Sequence, residues 1–325
     1  MTLTRCCSEK RILVPLIQGG ELVYRHCGDQ KVAAISCSEC AYVGFQPPSE
    51  AELSHYYSEH YGKNSGDWYS MEADYQEAKV TKRASHVETI ASKYLTEVSG
   101  LTTMEIGCAF GGTVMELRRR GLNAYGADLN SDAISQGRAG GNEFIFAEPA
   151  ESVLRDKGES AHIVYAYHAL EHIPDVHGFL NSIKTCLADQ GVMEFHVPNG
   201  AYLKAWKQGF ESWNWFAYPD HLHMFSPRSA LCLAKTTGLE LLDVTSRRCE
   251  EPVDWLRRWT GWTSENVPDI LIDTMLEQAM LMDELTMTLC VSGSSLCDQY
   301  AQKIEETRQR CLQNGSIEKS LRTVR

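Results

Sequence analysis

The chain predicts an α/β fold, a mostly parallel sheet with helices on both faces, flanked by a small cysteine-rich module and a helical extension. Three observations carry this expectation. Short apolar runs alternate with helical patterns over residues 101–250, as in sheets whose strands are joined by crossover helices. A turn rich in small residues, Gly107–Gly112, links the first run to a helical pattern. The second run ends about twenty residues later on an acid, Asp128.

Taken in order, residues 1–48 are cysteine-rich and strand-like, and Pro47-Pro48 closes them. Residues 49–100 read as a helical linker or lid. Glu50, Glu52 and Leu53 lead into an aromatic stretch from His55-Tyr56-Tyr57 to Tyr61. A longer helix starts near Asp74, with Val80, Ala84, Val87, Ile90, Ala91 and Tyr94 on one face, and Gly100 stops it. Strands are expected at Leu101–Ile106, Ala124–Ala127, Glu143–Phe146, His162–Ala166 and Val192–Val197, with a final pair at Leu239–Val244 and just beyond. Residues 199–226 form an aromatic-rich insertion, a candidate substrate wall. The extension, residues 251–325, reads as helical from about Val267. There Leu271, Ile272, Met275, Leu276, Ala279, Met282, Leu285 and Leu289 recur at three-and-four spacing. This tail is expected to pack on the body or to join copies in a homo-oligomer.

Charge narrows the function. The chain has 31 Lys and Arg against 43 Asp and Glu, a formal net charge of −12. Phosphate binding relies on clustered cations, so a nucleic-acid partner is not expected. The dense basic run Arg118-Arg119-Arg120 sits where a helix should end, which suits the helix dipole. No apolar run reaches the roughly 18–20 residues of a membrane span, and the amino terminus lacks the apolar core of a secretory signal. A cytoplasmic enzyme is expected. The 12 cysteines are scattered and are read as thiols or metal ligands rather than a disulfide framework.

The cofactor loop carries the main signal. A dinucleotide fingerprint would require glycine where Ala109 stands. Glu105, at the end of the first strand, suits a cationic ligand and would repel a pyrophosphate. Asp128, after the second strand, can accept both hydroxyls of a ribose. Glu105-Ile106-Gly107-Cys108-Ala109-Phe110-Gly111-Gly112 resembles the first motif of class I methyltransferases, E/D-x-G-x-G-x-G, with Ala109 in place of the middle glycine. Gly126-Ala127-Asp128 resembles the second motif, and Phe146-Ala147-Glu148-Pro149-Ala150-Glu151 occupies the place of the third.

That resemblance implies a Rossmann-like sheet and S-adenosylmethionine as methyl donor. Glu105 would hold the methionine amino end, Gly107, Ala109 and Gly111 would let the backbone approach, and Asp128 would bind ribose. Leu129 would pack on the adenine, Glu148 would contact its amino group, and Tyr167 is counted with the cofactor contacts. Cys37-Ser38-Glu39-Cys40-Ala41-Tyr42-Val43-Gly44-Phe45 resembles the zinc-ribbon leader of one branch that methylates small molecules, including sugars and natural-product intermediates. A closed zinc site wants four ligands, and Cys7, Cys27, Cys37 and Cys40 are the candidates, with His26 spare.

The acceptor end is read from two histidine groups. His168, Glu171 and His172 fall on one helical turn after the fourth strand, and His221 and His223 share one side of an extended segment after the insertion. His168, His221 and His223 are the candidate bases. His168-Ala169-Leu170-Glu171-His172, with His221, also resembles the E-x-x-E-H metal run of some ubiquinone-pathway and small-RNA O-methyltransferases. The first glutamate is His168 here, which would favour a softer ion than Mg²⁺.

The expected activity is therefore methyl transfer to an oxygen or carbon of a small polar metabolite. A metal-assisted O-methyltransferase and a non-catalytic scaffold that keeps the cofactor fold are the alternatives.

Overall fold

Val80, Ala84, Val87, Ile90, Ala91 and Tyr94 are all buried in the computed structural model, so the helix expected from their spacing lies flat on the sheet. The structure describes residues 14–18, 21–22, 24–27, 30–37, 40, 42–59, 70–95, 98–247 and 275–323.

The leader is made of short strands: β1 (Val14–Pro15), β2 (Ile17–Gln18), β3 (Glu21–Leu22), β4 (Tyr24–Cys27), β5 (Gln30–Ser36) and β6 (Val43–Phe45). Three helices follow, α1 (Glu50–Glu59), α2 (Met71–Asp74) and α3 (Glu77–Tyr94). The body then alternates β7 (Thr102–Ile106), α4 (Gly112–Arg119), β8 (Asn123–Ala127), α5 (Ser131–Ala139), β9 (Ile145–Phe146), α6 (Ala150–Lys157) and β10 (Ala161–Tyr167). It continues through a short turn of helix at Leu170–His172, α7 (Val176–Ile183), β11 (Leu187–Pro198), α8 (Leu203–Gln208), β12 (His223–Met224), α9 (Pro227–Thr237) and β13 (Leu239–Arg247). The last described elements are β14 (Glu284–Val291), α10 (Ser295–Gln299) and α11 (Ala301–Thr323).

Among the described residues, seven strands form the main sheet in the order β13-β14-β11-β10-β7-β8-β9. The pairs from β11 to β9 are parallel, whereas β14 runs antiparallel to both β11 and β13. Met104, Val164, Phe195 and Met287 point to the face covered by α6, α7 and α9. Tyr165 and Val192 point to the face covered by α3 and α4. Parallel strands covered on both faces need apolar residues at nearly every position, which is why they are legible as short apolar runs.

Two expectations are corrected. The three-and-four spacing that predicted helix through Leu285 and Leu289 gives way to strand β14. Leu285, Met287 and Leu289 alternate onto one buried face, a period of two that a four-residue interval also satisfies. The partner strand expected just beyond Val244 is this one, inserted between β11 and β13. The helical extension is α10 and α11, and α11 packs on β13 and α9 of its own chain. Thr307 donates to the Leu242 carbonyl at 3.1 Å.

The leader is tied to the body through the insertion. β6 pairs with β12, and Tyr202, Phe210, Trp213, Phe216 and Met224 share a core with Leu16, Val43 and Phe45. Most of the insertion's rings therefore pack the leader. Trp215 is partly buried against the same core and also stands edge-on to His168, with ring centroids 4.5 Å apart.

Candidate active site

The loop between β7 and α4 is built from left-handed backbone. Gly107 has φ of +69° and Gly111 of +82°. A Cβ on Gly107 would lie 2.9 Å from the Cβ of Ala169, so that turn has room only for glycine. Ala109 also takes φ of +48°, a strained position for a residue with a Cβ. Two bonds from Asp128 hold the loop and the turn beyond it. Its Oδ2 accepts the Ala109 N–H and its Oδ1 accepts the Asn130 N–H, each at 2.8 Å. A carboxylate offers about four lone-pair sites, so acceptor capacity is left for a pair of hydroxyls. Burial raises the Asp128 pKa, and those two N–H bonds oppose the rise.

Glu105 is buried at the end of β7 and accepts the Tyr165 hydroxyl at 3.3 Å. Burial pushes its carboxyl up to about 8, against the field of the Arg83 guanidinium. Such an acid has room to be ionised by an arriving cation. Leu129, 82% exposed, offers a bare apolar face beside Asp128, and Glu148 is exposed on the loop after β9.

Sequence reasoning missed Asp74, although it lies where the longer helix, α3, was read to begin. Its Oδ2 accepts the Gly112 N–H at 2.9 Å and so caps α4 from another helix, since Gly111 has no side chain to do so. Lys79 pairs with its other oxygen at 3.2 Å. A carboxylate thus already occupies the anion-binding end of α4, the place a dinucleotide's pyrophosphate would take.

The strand ends opposite this loop carry the histidines. His168 has φ of +53°. Its Nδ1 lies 3.2 Å from Glu171 Oε1 and its Nε2 lies 3.0 Å from Glu284 Oε2. Carboxylates only accept, so both ring nitrogens are placed as donors, the arrangement of an imidazolium. His221 differs. Its Nδ1 donates to the Trp215 carbonyl at 2.8 Å, which leaves Nε2 as the acceptor nitrogen, 4.0 Å from Glu171 Oε1. Burial and the neighbouring His172 lower its pKa. His172 contacts Asp220 at 3.1 Å, and that bond raises its pKa against the effect of burial.

Glu171 is fully buried, and burial acts to raise its pKa, yet the bond from His168 and the fields of His172, His168 and His221 leave it lowered. Its Oε2 has no hydrogen-bond partner among the described residues. Glu171, His172 and His221 each bring a ligand atom within 4.8 Å of the others.

His223 is placed behind this group. Its Nε2 donates to the Ile173 carbonyl at 2.9 Å, so Nδ1 accepts the Tyr42 hydroxyl at 2.6 Å. Burial takes its pKa down to about 4. With both nitrogens bound inside the protein, it joins leader to body. Tyr167 ends β10 under the Arg83 guanidinium, 4.6 Å from the ring centroid, and its buried hydroxyl has no hydrogen-bond partner among the described residues.

Of the leader's four expected zinc ligands, Cys37 and Cys40 have described side chains. Cys37 and Cys40 are buried together with Tyr42. Cys7 and the side chain of Cys27 lie outside the described residues.

The sequence also missed a polar stripe on the α3 face of the sheet. Glu194 and His196 on β11 meet Glu284, Thr286 and Thr288 on β14, Arg247 at the end of β13, and His86 from α3. The signal was there in Met193-Glu194-Phe195-His196-Val197, where two titratable residues alternate with apolar ones in a strand that should be buried throughout.

Known proteins similar to the chain are methyltransferases. Ubiquinone biosynthesis O-methyltransferase of Rhodopseudomonas palustris (strain TIE-1) is 26% identical over 164 residues, 46% of this chain and 65% of that protein. C-methyltransferase NovU of Streptomyces niveus is 30% identical over 153 residues, 45% of this chain and 35% of that protein. The chain thus spans just under two thirds of the first relative and about a third of the second. A solved S-adenosylmethionine dependent methyltransferase from Mesorhizobium loti is 20% identical, with a TM-score of 0.42, over 62% of this chain and 95% of that one. The family model described as Methyltransferase domain matches residues 78–244, just over half of the chain. The chain belongs to this methyltransferase-domain family.

Proposed function

We propose that the chain methylates an oxygen or carbon of a small polar metabolite, sugar-like or a natural-product intermediate, with His221 as base and His168 as a cation facing the acceptor. The observation that carries this reading is the pair of ring states forced by hydrogen-bond partners. His168 faces carboxylates on both sides, whereas His221 gives its proton to the Trp215 carbonyl and keeps a lone pair on Nε2. A neutral imidazole can take the acceptor's proton, and an imidazolium can stabilise the negative charge that results.

The cofactor supplies an electrophilic methyl group on a sulfonium when bound. The residues present fit it: a desolvated acid at Glu105, glycine-only turns, spare lone pairs on Asp128 and the bare Leu129. Glu105 would hold the ammonium end, Asp128 the ribose, Leu129 and Glu148 the adenine end, and Tyr167 would border the methionine end. The relatives' printed names, an O-methyltransferase and a C-methyltransferase, support both kinds of acceptor atom.

Calorimetry with S-adenosylhomocysteine, then a metabolite screen with labelled donor, tests the reading. Failure of wild type to bind that product more tightly than Asp128→Ala, or labelling of RNA instead of metabolites, overturns it.

A second reading is favoured by the partnerless Glu171 Oε2 and the close approach of Glu171, His172 and His221. These side chains would hold a divalent ion for metal-assisted O-methylation, and activity that survives chelation would exclude it. For the leader, a structural zinc on Cys37, Cys40, Cys7 and Cys27 is proposed, with total-zinc measurement as its test.

A further inference from the structure

The stripe beneath α3 contains a second convergence of ligating atoms, distinct from the Glu171 group. His86, Glu194 and His196 bring one ligand atom each within 4.8 Å of the others. Glu194 Oε1 meets the Nε2 of His86 and lies 3.2 Å from the Nε2 of His196. Two ligands on an ion at about 2.0–2.2 Å stand roughly 3.0–3.5 Å apart, so the 3.2 Å between Glu194 Oε1 and His196 Nε2 fits neighbouring positions on one ion, and His86, hydrogen-bonded to the same oxygen, would draw back from it on binding. The two rings meet edge to face, 72° apart with centroids separated by 5.1 Å, and both present a ligand atom within 4.8 Å of Glu194.

The surroundings orient each ligand. His196 Nδ1 lies 3.2 Å from Glu284 Oε1 and 3.1 Å from Thr286 Oγ1. A carboxylate on the far nitrogen of a histidine fixes its tautomer and makes the near nitrogen a better ligand. Thr288 donates to Glu194 Oε2 at 2.9 Å, which leaves Oε1 for the ion. Glu194 and His196 are buried in the sheet and held in register by β14, whereas His86 comes from the half-exposed side of α3. Two ligands are thus rigid and the third sits on a surface helix, which gives an ion a way in.

We propose that His86, Glu194 and His196 bind one divalent transition-metal ion of the Zn²⁺, Co²⁺ or Fe²⁺ class. Two imidazoles and one carboxylate suit borderline ions better than Mg²⁺ or Ca²⁺. Three protein ligands leave at least one coordination position for water or an oxygen ligand. Glu284 couples the site to the acceptor end, since one of its oxygens reaches His196 and the other His168. Binding of the ion does not depend on the proposed acceptor chemistry.

The test is equilibrium dialysis of the full chain against Co²⁺ with metal analysis and absorption spectra, read as differences from wild type, because the cysteines and the Glu171 group can also bind the ion. Wild type should hold one equivalent more than His86→Ala and than Glu194→Gln. Glu284→Gln should weaken that equivalent by about 10–100-fold. His86→Cys keeps a ligand in place and should add a thiolate-to-cobalt charge-transfer band. Equal stoichiometry in wild type and His86→Ala overturns the proposal, because a purely hydrogen-bonded cluster predicts it. If the alanine variant unfolds, His86→Cys decides: the band supports the site and its absence overturns it.

Discussion

Glu284 Oε2 lies 3.0 Å from His168 Nε2, so the last strand of the sheet reaches the turn that follows β10. Burial would raise the Glu284 carboxyl, but bonds from His168, His196 and Arg247 outweigh it and hold the group ionised, far below the usual range. Two residues 116 apart in sequence thereby share a proton-bearing bond inside the site.

That bond makes a directional prediction. Glu284→Gln removes an anion from beside an imidazolium, so His168 should lose its second proton at lower pH. The alkaline limb of kcat/KM should move to lower pH by about 1–3 units. A limb that stays in place in Glu284→Gln would show that His168 does not act as a cation.

His221 and His223 should separate cleanly. His221→Ala removes the proposed base, and kcat should fall by about 10²–10⁴-fold with binding of S-adenosylhomocysteine retained. His223→Ala instead leaves the Tyr42 hydroxyl buried without its acceptor, and should cost about 1–3 kcal/mol of stability. Thermal melts beside steady-state kinetics check both. The pair is misassigned if His223→Ala melts like wild type and loses turnover.

Met287 distinguishes strand from helix in the tail. On the expected helical stripe it falls between Leu285 and Leu289 and would face away, whereas β14 buries all three together. Met287→Ala should cost about 2–5 kcal/mol in denaturant unfolding, the usual loss for a core methionine. A cost below 1 kcal/mol would contradict the strand.

The cofactor half of the site was legible because its determinants are local. A strand, a small-residue turn and two acids lie within Glu105–Asp128, and each residue's neighbours in sequence are its neighbours in space. The acceptor half was legible only in its histidines: His168 and His221 stand out in the sequence, but Glu284, which reaches His168 and His196, lies on a strand that only sheet register places there. The order β13-β14-β11 could not be read from periodicity, since Leu285 and Leu289 fit both a helical and an extended repeat. The insertion misled in the same way, because aromatic content says that rings will pack but not against what. Only its contact with the leader strands shows Trp213 and Phe216 to be core, with Trp215 packed partly against that core and edge-on to His168.

Glu105 gives the last prediction, and its sign follows from burial. In an unfolded chain this carboxyl ionises near 4.5, but in the folded protein it holds its proton up to about 8. Between those values the folded state binds the extra proton, so this group's contribution to stability falls as pH rises from 4.5 towards 8. An ammonium group arriving beside Glu105 reverses the preference and favours the carboxylate. Cofactor binding should therefore release a proton at neutral pH, and affinity for S-adenosylhomocysteine should strengthen as pH rises to about 8 before levelling. Calorimetry in two buffers of different ionisation enthalpy counts the proton directly. Glu105→Gln cannot ionise, so it should show no proton release from this position and a flatter affinity profile. Its binding should be weaker by roughly tenfold or more at pH 8, the loss of one charge-assisted bond. Equal proton release in wild type and Glu105→Gln would move the ammonium contact to another residue and remove Glu105 from the cofactor site.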